Sequence, residues 1–130
     1  MWVDTGQRLV NVTDADKIEI LREISDVGAG NRDVWIYSLT ATFGDRVENL
    51  VSVITYPPRD AQALDDFTTS VATLHSRKAR HTQAATEECL RCLKTISAAL
   101  REGAPYCSLE GLYQTNLDPD EVEGGEAVDN

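Results

Sequence analysis

"DVWIYSLTATFGDRVENLVSVITYPP", residues 33–58, decides the fold. In it Trp35, Tyr37, Leu39, Ala41 and Phe43 alternate with Val34, Ile36, Ser38, Thr40 and Thr42. A period of two is that of an extended chain, whose successive side chains point to opposite faces. Gly44 and Asp45 mark a turn, and residues 50–56 form a second run rich in β-branched side chains. The stretch therefore predicts an antiparallel hairpin with its aromatic face covered and its hydroxyl-bearing face more exposed. Pro57 and Pro58 end the second strand, because proline has no N–H to give to a ladder.

Upstream, residues 1–12 read as a short strand, clearest in "RLVNV" at 8–12. Residues 14–25 allow two readings. Thr13 and Asp16 stand near capping-box spacing, and Asp14 and Asp16 suit a helix N-terminus. Ile18, Leu21 and Ile24 then recur at helical spacing, although "KIEIL" also alternates as a strand would. The helix is the preferred reading. Residues 25–33, with Gly28, Gly30 and Asn31, are a loop. Gly28-Ala29-Gly30 lacks the third glycine and the preceding apolar strand of a dinucleotide fingerprint.

Downstream, residues 59–102 contain neither glycine nor proline. Leu64, Phe67, Val71 and Leu74 form one apolar stripe, and Ala85, Cys89, Leu93, Ile96 and Leu100 another. One long helix fits, as does a helical hairpin broken near "HSRKARHT" at 75–82, with Ser76 or Thr82 capping its second half. The break is the preferred reading, since one helix of this length needs a partner for its far half. Gly103-Ala104-Pro105 is ordinary C-terminal punctuation, after which Tyr106, Leu109, Leu112 and Tyr113 can pack back on the body. The expected architecture is α+β: a small antiparallel sheet, a short N-terminal helix, and one long or two shorter C-terminal helices. It fills a single domain over 1–114, with the sheet region at 1–58 and the helical region at 59–114, followed by a disordered acidic tail at 115–130.

The formal net charge is −10. Six acids and no base fall in 115–130 (Asp118, Asp120, Glu121, Glu123, Glu126, Asp129), which leaves −4 for the rest. Such a surface repels nucleic-acid phosphates and anionic membranes and suits a basic protein partner. No apolar run nears the roughly 20 residues that cross a bilayer, and the first residues show no secretory signal. Three cysteines, an odd number, fit reduced thiols in a cytoplasmic protein.

"HTQAATEECLRC", residues 81–92, is the stretch most suggestive of chemistry. His81, Cys89, Cys92 and Cys107 supply the ligand types of a zinc site. However, Cys89 continues the apolar stripe of Ala85, Leu93 and Ile96, and free cysteine behaves as a small buried hydrophobe. Packing is the preferred reading, with no metal or other cofactor. His75-Ser76 are adjacent and diverge on a helix, and no nucleophile, metalloprotease or phosphate-loop motif occurs, so no catalytic residue is assigned.

"HSRKARH", residues 75–81, gathers three cations in an acidic chain. Arg77, Lys78 and Arg80 on the helix, and Asp118, Asp120, Glu121 and Glu123 in the tail, are the expected partner-contact residues; the cations suit an acidic partner, a bound anion or the chain's own acidic tail. Trp2, Trp35, Tyr37 and Phe43 read as core. The functional expectation is a non-enzymatic interaction protein, an adaptor, chaperone or inhibitor, self-associating and acting in one version against a nucleic-acid-handling enzyme. Two alternatives stay open: a small-molecule or nucleotide module using Gly28, Gly30, Arg77 and Arg80, and a structural zinc protein.

Overall fold

A computed structural model describes residues 1–25, 30, 32–59 and 71–124. The decisive hairpin is present as β4 (Val34–Phe43) and β5 (Arg46–Thr55), following β3 (Lys17–Ser25) in a three-stranded antiparallel meander of order β3-β4-β5. Gly44 turns the hairpin with φ of 61°, in the left-handed region that two-residue hairpin loops demand. Trp35, Tyr37, Leu39 and Ala41 are buried along one face, as the alternation predicts. The ladder slips between Leu39 and Thr40, where Val51 pairs with Leu39 and Asn49 with Thr40. This bulge makes Leu50 an extra residue, so consecutive Leu50 and Val51 are both buried.

No N-terminal helix forms among the described residues. The segment 14–25, where helical spacing is the preferred reading, is mostly β3, paired residue for residue with β4 from Lys17↔Thr42 to Ser25↔Val34. Alternation wins because Ile18 and Ile20 sit opposite Ala41 and Leu39, on the buried face. The helical triplet fails, since Leu21 and Ile24 are about half exposed, at 45% and 50%. The supposed capping residues tie strands together instead. Thr13 Oγ1 accepts from the N-terminal amine at 2.6 Å, and Asp16 accepts from the Gly44 N–H at 2.7 Å.

A second sheet, also of three strands, is built from β1 (Trp2–Asp4), β2 (Leu9–Asn11) and β6 (Tyr106–Ser108). β2 runs antiparallel to β1, whereas β6 runs parallel to it. Val3, Val10 and Cys107 face inward and are buried; Trp2, Leu9 and Tyr106 face out.

The long helix α1 spans Val71–Arg101 without a break, through the stretch where a hairpin is expected from the sequence. Its buried face reads Leu74, His81, Ala85, Cys89, Cys92 and Ile96, steps of three, four and seven that keep one stripe on the sheets. The partner that a long helix needs is supplied by β4 and β5 of one sheet and β6 of the other. Leu64 and Phe67 of the first sequence stripe lie outside the described residues. A Schellman pair ends the helix: Ala104 N–H donates to Ala99 O at 2.9 Å and Gly103 N–H to Leu100 O at 3.1 Å. No helix among the described residues is long and apolar enough to cross a membrane.

The acidic stretch expected to be a tail is, as far as Gly124, part of the packed structure. Ile54 N–H donates to Thr115 O and Leu117 N–H to Ile54 O, so residues 115–117 lie along the outer edge of β5. Leu117 is buried, and Asp118 caps the short helix α2 (Pro119–Gly124) through Asp120 N–H at 2.8 Å. α2 packs on α1.

Candidate functional site

Three separate segments meet at one carboxylate. Glu123 of α2 accepts from His81 Nε2 at 2.9 Å and from Arg32 Nη1 at 2.6 Å, and its other oxygen accepts from Arg77 Nε. Arg32 also donates to Tyr56 O at 2.9 Å, which anchors it at the end of β5. Arg77 and His81 are four residues apart on α1 and so share a face. Arg80 reaches the backbone oxygen of Glu123 at 3.5 Å.

Behind His81, at the end of β5, the Thr55 hydroxyl donates to Nδ1. Of the two neutral tautomers, only the one with its proton on Nε2 satisfies both partners. His81 is entirely buried, and that burial lowers its pKa despite the opposing pull of Glu123. For Glu123 burial works to raise the pKa, but hydrogen bonds from His81, Arg77 and Arg32 outweigh it and hold the carboxyl below its usual range. In atom order the line is hydroxyl, imidazole, carboxylate. Thr55 and His81 expose no surface, however, and both ring nitrogens are committed. As it stands, the line joins β5, α1 and α2.

The predicted site residues divide accordingly. Arg77 and Glu123 are brought together, and Arg80 and Lys78 lie beside them on α1. Asp118 is spent on the cap, while Asp120 and Glu121 are exposed in the first turn of α2. Gly30 makes a turn at φ of 65°, its carbonyl accepting from Arg59 at 3.2 Å; Gly28 lies outside the described residues. Arg77 and Arg80 line a surface hollow with Ala72, Thr73 and Ser76, apart from Gly30.

The alternative zinc ligands are not brought together. His81 stands eight residues before Cys89, about 12 Å along the axis, and among the described residues no group of acids, histidines and cysteines is arranged to hold a metal. The three thiols are free and buried. Burial first, then neighbouring Cys92 and Glu88, pushes the Cys89 thiol up to about 12; Cys92 rises to about 11, again chiefly by burial.

Two features are not legible in the sequence. The first is the part of the Glu123 cluster beyond the Arg77 contact: Thr55 and Arg32 carry no signal there, one being an ordinary strand residue and the other an isolated arginine in a loop. His81 is more legible, because it stands four residues before Ala85 on the buried stripe.

The second feature is the edge of the meander. β5 is flanked by residues 115–117, but no described residue pairs with the outer edge of β3. Along this edge Ile18 and Ile20 are half-buried, and Arg22 lies over the Trp35 ring at 5.6 Å. Between the start of β3 and the end of α1 runs a groove of about 340 Å³, lined mainly by Val12, Ala15, Ile18, Leu93, Ile96 and Leu100.

Comparison of the chain with known families, with curated proteins and with solved structures gave no match.

Proposed function

We propose that this protein is a non-enzymatic, cytoplasmic interaction module that takes an extended protein segment along β3. The observation that carries the reading is the outer edge of β3 from Lys17 to Ile24, which pairs with no described residue, with Leu21 and Ile24 about half exposed on it. A strand edge presents a row of N–H and C=O groups that another strand can satisfy, while alternate side chains provide selectivity. The apolar groove beside it offers further area to bury. The net charge of −10 favours a partner that is neutral or basic there. The polar cluster at Glu123 takes no part in contact with the partner; it holds α2 and the end of β5 to α1.

The test is site-specific photo-crosslinking in the producing cell, with the reactive residue placed at Leu21 and, separately, at Asp45 on the hairpin tip. Protein adducts from position 21 that are absent from position 45 support the edge reading. Equal adducts at both positions, or none at position 21, overturn it.

A further inference from the structure

We infer that the strand accepted by β3 is β3 of a second copy, which makes the protein a two-fold dimer with a continuous six-stranded sheet. The inference rests on the edge reading above and names its partner. It is carried by the order of charges along β3 itself.

Residues directly opposite each other in an antiparallel pair share a face, so a two-fold axis normal to the sheet allows only registers that keep each face continuous. Three such registers use the middle of β3. With Ile20 opposite Ile20, Lys17 stands opposite Glu23 twice, Ile18 opposite Arg22, and Glu19 opposite Leu21. One step along, with Leu21 opposite itself, Glu19 faces Glu23 twice, and like charges directly opposite are destabilising. One step the other way, Glu19 faces Glu19 at the axis. Only the Ile20-centred register of the three pairs opposite charges and no like ones.

The surroundings agree with that register. Lys17 makes an exposed pair with Glu19 at 3.2 Å within one copy, a contact of the kind that costs little to leave. In the dimer its ammonium lies between its own Glu19 and the Glu23 of the second copy. The two Ile20 side chains meet at the axis on the face that carries α1, extending the core where one copy leaves them half-buried. The axis is isologous, as in most homodimers.

The experiment is a charge exchange read by native mass and sedimentation. The wild-type chain is expected to be a dimer whose mass falls to one chain on dilution. Lys17→Glu and Glu23→Lys, made separately, each place like charges opposite twice per dimer and should weaken dimerisation by about tenfold or more. Mixed, the two variants are complementary at both pairs and should recover the dimer as a one-to-one hybrid. The double variant K17E/E23K should likewise recover it alone. Circular dichroism and melting of each single variant show that the fold persists, since both positions are exposed on the sheet edge.

A wild-type chain that is monomeric at high concentration overturns the inference, as does a dimer indifferent to both single variants. The edge reading fails separately. Position-21 adducts whose added mass is not that of this chain would keep the edge and overturn the self-pairing, whereas absence of any protein adduct there removes both.

Discussion

His81 Nε2 donates to Glu123 across 2.9 Å and forty-two residues of chain, tying the short C-terminal helix to the middle of the long one. Through Thr55 on the other ring nitrogen, the same imidazole fastens both to the end of β5. The arrangement explains why a run of six acids is not simply a solvated tail: one of them has buried and basic partners waiting.

Glu123→Gln should therefore destabilise the protein more than substitution of its exposed neighbours. The amide removes the charge that Arg32 and Arg77 share and turns an NH₂ toward one of their donors. We expect a loss of about 1–3 kcal/mol, whereas Asp120→Asn and Glu121→Gln should stay within about 0.5 kcal/mol. Urea unfolding of the three variants measures this; equal effects at 120, 121 and 123 would contradict it.

Stability should fall with acid in two windows. His81 is held below its ordinary 6.5 in the folded protein, first by burial, so the unfolded chain takes up a proton that the folded one refuses. Its contribution is complete above pH 6.5 and declines as pH falls from there through the lowered native value. Glu123, with its native pKa below the ordinary 4.5, adds a contribution present above 4.5 and lost as pH drops through its own lowered value. Denaturant midpoints from pH 8 to 3 follow both windows, and His81→Gln should remove the upper one. An increase in stability between pH 7 and 5.5 that depends on His81 would show the imidazole to be protonated in the fold.

The thiols should be silent in the folded protein. Cys89 and Cys92 are raised to about 12 and about 11, and Cys107 is raised too, all mainly by burial, so little thiolate exists at pH 8. A chromogenic disulfide reagent should titrate three thiols after denaturation and fewer than one within minutes before it. A chelator should leave the melting temperature unchanged. Rapid native reaction of the helix pair, or a chelator-induced drop, would return these residues to metal or redox chemistry.

Ala79→Pro tests the continuity of α1. Ala79 is exposed in the middle of Val71–Arg101, where proline removes one backbone hydrogen bond and clashes with the preceding turn. The cost should be about 3 kcal/mol or more. A helical hairpin broken in "HSRKARH" would tolerate the same change, and a loss under about 1 kcal/mol would indicate that.

The β4–β5 hairpin, the end of α1 at Gly103 and the burial of Cys89 are legible in the sequence. Each is a local pattern: period-two alternation around Gly44, a left-handed glycine before proline, and an apolar stripe at helical spacing. The other features depend on partners remote in the chain. Residues 17–25 carry both periods, and the buried face of β4 selects the strand by giving Ile18 and Ile20 somewhere to go. Residues 75–82 carry no helix breaker, and two sheets supply enough cover to run the helix through them. Among six tail acids only the fold distinguishes Glu123, since its value lies in Arg32, Arg77 and His81, which are forty or more residues away in the chain. Short-range order is set by the spacing of side chains; the choice between two permitted spacings, and the pairing of charges, is set by what the folded chain brings into contact.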